Sequence, residues 1–149
     1  ISAPHMVAMM TELLEAKKSD KVLEIGAGSG YQAAILSKLV KKIYSVEVDT
    51  ELVSFARANL KKAKIKNVEV MLGEGSKGYE KAKPYDKIVV TCATPEIFEE
   101  WVDQLKINGV LLAPVGGGFY QNLIKMRKTK SGLEKTNHGG CAFVPLRKS

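Results

Sequence analysis

Apolar positions along the chain follow two alternating rhythms. Short runs rich in β-branched residues, at 21–25, 43–48, 68–72 and 87–92, read as buried strands. Between them, residues 31–40 and 50–63 carry apolar side chains at helical spacing, for instance Leu52, Phe55, Ala56 and Leu60. Pro95 opens a further helical stretch to residue 105, with Ile97, Phe98, Trp101, Val102 and Leu105 on one side. Ahead of the first strand, Ser2-Ala3-Pro4 reads as a cap followed by proline in the first turn. Met6, Met9, Met10, Leu13 and Leu14 then form an apolar stripe.

Near-continuous apolar strands that alternate with helices predict a parallel sheet covered on both faces. After the run at 109–115 the character changes. Residues 121–127 and 140–146 read as two strands separated by a turn-rich stretch at 130–138, with no helix between, and should pair antiparallel at one edge. With no internal repeat, low-complexity segment or linker, residues 1–149 are expected to form one α/β domain.

Composition narrows the class further. Apolar residues make up 45% and charged residues 26% of 149, the balance of a soluble globular protein rather than a disordered one. No apolar run approaches the ~18–20 residues that span a bilayer, and no basic-then-apolar signal opens the chain. Cys92 and Cys141 make no metal spacing, so no metal is expected and a cytoplasmic, reducing location is the simpler reading. Net charge is +7, and from Lys125 onward seven basic residues face Glu134 alone. A second basic cluster comprises Arg57, Lys61, Lys62, Lys64 and Lys66. Such patches attract nucleic acid or acidic polypeptides, but solvated lysine-rich faces are the plainer explanation.

The strongest local signal is Glu24-Ile25-Gly26-Ala27-Gly28-Ser29-Gly30, between the first strand and a helix. Glycines there allow a sharp turn and close approach of a ligand. A dinucleotide fingerprint wants a third glycine at position 31, which is Tyr31. The G-x-G-x-G spacing is instead typical of Rossmann-like methyltransferases that bind S-adenosylmethionine. Glu47, 17 residues after Gly30, is placed to accept hydrogen bonds from ribose hydroxyls. Glu74, in Gly73-Glu74-Gly75, is placed to meet an adenine amino group, and Glu24 the cofactor's ammonium group. Each carboxylate alone is equally well a solvated strand end; three at successive strand carboxyl ends point to the ligand crevice of this fold. The architecture expected is therefore Rossmann-like and doubly wound, mostly parallel, with an antiparallel C-terminal strand pair and helices on both faces.

Further segments resemble one family. Ile1-Ser2-Ala3-Pro4-His5-Met6, Glu24 to Ala33, Gly73-Glu74-Gly75 and Ala82-Lys83-Pro84-Tyr85-Asp86 are similar to protein-L-isoaspartate O-methyltransferases. So are Asp103-Gln104-Leu105-Lys106, Pro114-Val115-Gly116 and Phe143-Val144-Pro145-Leu146, in order along the whole chain. The resemblance implies methylation of the free carboxylate of L-isoaspartyl residues in damaged protein, with S-adenosylmethionine as donor and S-adenosylhomocysteine as product. The ester then cyclises to a succinimide that reopens to aspartate. It also implies that Ser2 is the active-site residue and touches cofactor and substrate. Ser29 and Gly75 would join the cofactor contacts, and His5, Pro114, Val115 and Gly116 the substrate side.

Three departures stand out. His5-Met6-Val7 replaces the family's usual His-Met-His, and Glu74-Gly75 replaces Asp-Gly. Members of the family also carry several tens of residues ahead of the Ile-Ser motif, so the chain is expected to be a piece of something longer, with substrate turnover impaired before cofactor binding. Transfer to an isoaspartyl carboxylate needs no general base, because a carboxyl of pKa near ~4 is already ionised at neutral pH. The demands are alignment and exclusion of water. The competing readings are an RNA methyltransferase of the same fold and a cofactor-binding module with impaired catalysis. Thr91-Cys92-Ala93-Thr94-Pro95 lacks the Asn/Asp-Pro-Pro-aromatic motif of enzymes that methylate base amino groups, which disfavours the first. A monomer acting on damaged proteins is expected, without membrane or nucleic-acid partners.

Overall fold

A computed structural model describes residues 3–148 of the chain. Its centre is a seven-stranded sheet in the order β3-β2-β1-β4-β5-β6-β7. The strands are β1 (Lys21–Ile25), β2 (Lys42–Glu47), β3 (Val68–Leu72), β4 (Tyr85–Val90), β5 (Leu105–Val115), β6 (Gln121–Thr129) and β7 (Gly132–Cys141). The first five run parallel, and β6 and β7 join antiparallel. This mostly parallel sheet with an antiparallel edge is the architecture that the strand–helix alternation predicts.

Strand alternation decides what lies on each face. Val22, Ile43, Val89, Val110 and Leu112 share one face with Glu24, Ser45 and Glu47. Helices α1 (Pro4–Leu13) and α2 (Tyr31–Ser37) cover it, with Met10, Leu14, Ala33 and Leu36 packed into its core. Helix α3 (Thr50–Lys62) extends this layer through Val53, Ala56 and Leu60, which pack on Ala27 and Val70. Leu23, Ile25, Val46, Ile88, Val90 and Leu111 face the other way, onto Trp101 of α4 (Glu99–Gln104) and the flanking Tyr79 and Ala82.

Several elements end sooner than their apolar patterns suggest. Helix α2 stops at Ser37, where the hydroxyl donates back to Ala34 O at 2.7 Å. Helix α4 begins at Glu99 rather than at Pro95, because Phe98 is extended and the Thr94 hydroxyl bonds Glu96 O at 2.6 Å across the intervening turn. Pro4 does start α1, with Ala3 at the cap position and no capping side chain there. Ser2, expected as that cap, lies outside the described residues.

The C-terminal pair departs most. Its turn is only Lys130-Ser131, and most of the stretch expected as turns is strand β7. Residues 132–140 are all exposed, so an edge strand wet on both faces needs no apolar alternation. Of the residues expected as the last strand, 140 and 141 end β7, and 142–146 form an arm laid along the segment after β4, with an isolated bridge from Pro145 to Ala93.

Much of the C-terminal positive charge is spent internally. Lys125 and Arg127 both bind the Glu15 carboxylate, Lys128 Nζ donates to Val102 O and Leu105 O at 2.9 Å, and Arg147 pairs with Asp49 at 2.8 Å. Hydrogen bonding from Lys125 draws the Glu15 carboxyl down to about 2. No helix among the described residues is long and apolar enough to cross a membrane.

Trp101 is the keystone of the second face. It is fully buried, its indole nitrogen donates to Gly75 O at 2.8 Å, and Phe98 meets it edge-on at 5.0 Å. Trp101→Ala should cost about 3–5 kcal/mol, through lost burial and an orphaned carbonyl. Urea unfolding of the two proteins measures this, and a loss under 1 kcal/mol would show that the layer collapses to fill the gap.

Candidate active site at the carboxyl ends of the parallel strands

The glycine loop is shaped by close packing of β1 against β4. Gly26 has φ +95°, and a Cβ there would come within 2.9 Å of the Thr91 hydroxyl oxygen. That hydroxyl lies against the carbonyls of Ile25 and Gly26, while Gly26 N donates to Val46 O at 2.8 Å. The turn is therefore pinned to both neighbouring strands and has no room for a side chain.

Beyond the turn, Gly28 N donates to Glu47 Oε1 at 3.1 Å, and Asp49 N donates to Glu47 Oε2 at 3.1 Å. Glu47 is nine-tenths buried, so these two bonds fix a carboxylate at the end of β2 in one orientation. A carboxylate has about four acceptor positions, and two remain for a ligand. On the far side of the loop, Asn59 of α3 donates to Ser29 O at 2.9 Å.

Loop and strand ends form the floor of a cleft of about 630 Å³. Gly26, Gly28, Ser29, Glu47 and Gly75, all expected at the site, line it. The opposite wall is the arm from Ala142 to Arg147, held down by Ala93 N donating to Val144 O and Leu146 N donating to Ala93 O, each at 2.7 Å. Arg147 closes the end of the arm onto Asp49, whose carboxylate also caps α3 by accepting from Glu51 N and Leu52 N. The Arg147 hydrogen bond, aided by that capping, holds the Asp49 carboxyl below its usual range. Val7 and Gln32 complete the wall near α1, with the Gln32 amide bonded to Thr11 Oγ1 at 3.0 Å.

Other expected residues lie elsewhere. Gly30 caps α2 with φ +88° and faces a shallow outer groove shared with Pro4, Tyr31 and Phe55. Glu24 sits on the α1–α2 face of the sheet beneath the cleft wall, because its position on β1 alternates with that of the cleft-lining Ile25. Its Oε1 accepts from Ser45 Oγ at 2.5 Å, and its Oε2 is the one fully buried side-chain oxygen among the described residues without a partner. Glu74 is outside the cleft wall, with its carboxylate 3.8 Å from Lys77 Nζ, leaving Gly75 as the lining residue of that pair. His5 is exposed on α1. Pro114, Val115 and Gly116 flank the site one strand away, bonded to Thr94. Ser2 lies outside the described residues.

The arm at 142–147 and the lining residues Gln32, Leu52 and Thr91 escaped the sequence reading. A signal for the arm existed in Phe143-Val144-Pro145-Leu146, but the stretch read as a strand paired with 121–127, which gave no hint that it would wall the cleft. Cys92 also lines the cleft. Burial, then the nearby Glu47 and Glu24 charges, pushes its thiol up to about 12, so it is an apolar wall and not a nucleophile.

The family model for protein-L-isoaspartate(D-aspartate) O-methyltransferase (PCMT) matches residues 1–149. The chain belongs to the protein-L-isoaspartate O-methyltransferase family. A relative of that name from Pyrococcus abyssi is 50% identical over 149 residues, covering 98% of this chain and 69% of the relative. Another, from Methanosarcina mazei, is 51% identical over 150 residues and is covered over 61% of its length. Among solved structures, a protein-L-isoaspartate O-methyltransferase superposes with a TM-score of 0.92 at 30% identity, over 99% of this chain and 48% of that one. A Plasmodium falciparum structure described as a complex with S-adenosyl-L-homocysteine gives 0.80 at 28% identity, over 100% of this chain and 76% of that one.

Burial raises the Glu24 carboxyl to about 8, opposed by the Ser45 hydrogen bond and reinforced by the Glu47 charge. The folded chain thus holds a proton that the unfolded chain releases near pH 4.5. Glu24 should make stability fall as pH rises from about 4.5 to about 8, by at most about 1.4 kcal/mol per pH unit, and level off above. Glu24→Gln keeps the acceptor for Ser45 and should flatten that slope while stabilising the protein at pH 8. Unfolding across the pH series checks this, and parallel slopes for the two proteins would place the titration elsewhere.

Proposed function

We propose that this chain is one methyltransferase domain that binds S-adenosylmethionine in the cleft and serves methylation of L-isoaspartyl carboxylates in damaged protein. The observation that carries the reading is the buried Glu47 carboxylate, oriented by Gly28 and Asp49 over the glycine loop, in a chain of this family.

The donor set fits the cofactor. The cleft volume is that of a typical small-molecule site. Its apolar walls, Ile25, Val46, Leu52 and Leu146, suit an adenine ring, and the free acceptor positions of Glu47 suit ribose hydroxyls. Glu24 Oε2 lies buried and unpaired beneath, and a cationic ammonium group above it would draw that carboxyl into its ionised form. When bound, the cofactor supplies an electrophilic methyl on a sulfonium.

The chain's own work is positioning. An isoaspartyl carboxylate is ionised at neutral pH, so no side chain has to remove a proton. Glu47 and the glycine loop hold one reactant, the arm at 142–147 keeps water out, and the protonated Cys92 thiol does not compete as an acceptor of the methyl group. Ser2, with His5, Pro114, Val115 and Gly116, is proposed to hold the substrate carboxylate.

Calorimetric titration with S-adenosylhomocysteine should show saturable binding that Glu47→Ala weakens by roughly 1–3 kcal/mol, the cost of a lost charged acceptor. Equal affinities would remove Glu47 from the site. With labelled S-adenosylmethionine, mass spectrometry should find methyl on an isoaspartyl peptide and none on the matched aspartyl peptide or on transfer RNA. Transfer to the RNA alone would favour the competing reading.

A further inference from the structure

At one end of the cleft the segment after β4, the end of β5 and the arm after β7 are stitched together. Thr94 N donates to Pro114 O and Gly116 N to Thr94 O, each at 2.9 Å, beside the bonds that hold the arm to Ala93. Phe143 N donates to the Gln121 side chain at 2.8 Å, tying the arm to the start of β6. Three large apolar side chains stand out in solvent on this stitched end: Phe119 is 97% exposed, Tyr120 67% and Val144 74%.

Single exposed apolar residues are ordinary. These three belong to segments bonded to the same strand end, and Val144 is itself part of the cleft wall. The hydroxyl end of Tyr120 packs against Gly140 of β7, where a Cβ would fall 1.7 Å from the phenol oxygen, so the ring sits where only glycine leaves room. Between this ring and the end of β5, Gly117 and Gly118 present open space, with nothing within 4 Å of where a Cβ would stand.

We propose that Phe119 and Tyr120, together with Val144, form an apolar lip that docks the residues flanking an isoaspartyl group in an extended polypeptide. The inference rests on the function proposed above. An isoaspartyl residue reaches the cleft only with its chain running out on both sides across the mouth. Gly117 and Gly118 let that backbone approach, and the exposed rings gain burial when a neighbouring side chain covers them. Residues 116–120 carry no charge, so the lip accepts flanks of either sign, as an enzyme acting on many damaged sequences requires.

The test measures fluorescence anisotropy of two labelled isoaspartyl peptides, one with apolar flanks and one with Gly/Ser flanks, on the full chain saturated with S-adenosylhomocysteine. The apolar peptide should bind tighter, and Phe119→Ala/Tyr120→Ala should weaken it by about tenfold while leaving the Gly/Ser peptide little changed. Tyr120→Phe should retain the preference, and calorimetric affinity for S-adenosylhomocysteine should be the same in all variants. Unchanged apolar-peptide affinity in the double variant, or no flank preference in the wild type, would overturn the lip. A variant that changes sedimentation from dimer to monomer at constant peptide affinity would assign the surface to self-association instead. A wild-type chain that does not bind S-adenosylhomocysteine fails the functional reading and takes the lip with it, an outcome the calorimetry separates from the others.

Discussion

The site depends on the contact between Gly26 and Thr91. Where β1 ends, the chain has to turn against the end of β4 without a side chain, because the Thr91 hydroxyl oxygen lies within 2.9 Å of where a Cβ would stand. Everything at the cleft floor follows from that close approach. The turn delivers the Gly28 amide to Glu47, and so fixes a strand-end carboxylate that would otherwise sample several rotamers. A parallel sheet supplies the rest, since it brings the carboxyl ends of five strands to one edge.

Two carboxylates on one face show how local environment divides similar groups. Glu47 reaches the sheet edge, where two backbone amides satisfy it. Glu24 on the adjacent strand is sealed under the layer, with one hydroxyl as its partner and a second carboxylate nearby, and burial holds it protonated. The folded chain thus buries a protonated acid one strand away from Glu47. At the opposite end of the sheet, Lys87 is held 3.6 Å from Asp20 and donates to Glu15 O, so the buried cation there has its compensation built in.

The sequence made the centre of the sheet legible and its margins less so. β1 to β4 are short apolar runs with one allowed environment, and the pattern places each to within a few residues. β7 has no such constraint. It is an edge strand with solvent on both faces, and Gly132, Asn137 and Gly139 read locally as turns although the hairpin needs only Lys130-Ser131. The same division runs through the site. The glycine loop and Glu47 announce themselves because backbone geometry demands glycine and strand order fixes the carboxylate. The arm at 142–147 does not, because its place depends on long-range bonds to Ala93 and Asp49. Glu24 stands out in the sequence only as a strand-end acid, and the face of β1 that it takes follows from alternation with the cleft-lining Ile25.

The central claim is that the cleft between the glycine loop and the C-terminal arm is the cofactor site. A crystal structure of the chain grown with S-adenosylhomocysteine tests it directly. Ribose hydroxyls within hydrogen-bond distance of Glu47, with the ligand enclosed between Gly28 and Leu146, is the predicted result. A ligand seated instead in the outer groove between Pro4 and Phe55, or absent from the cleft at saturating concentration, would contradict it.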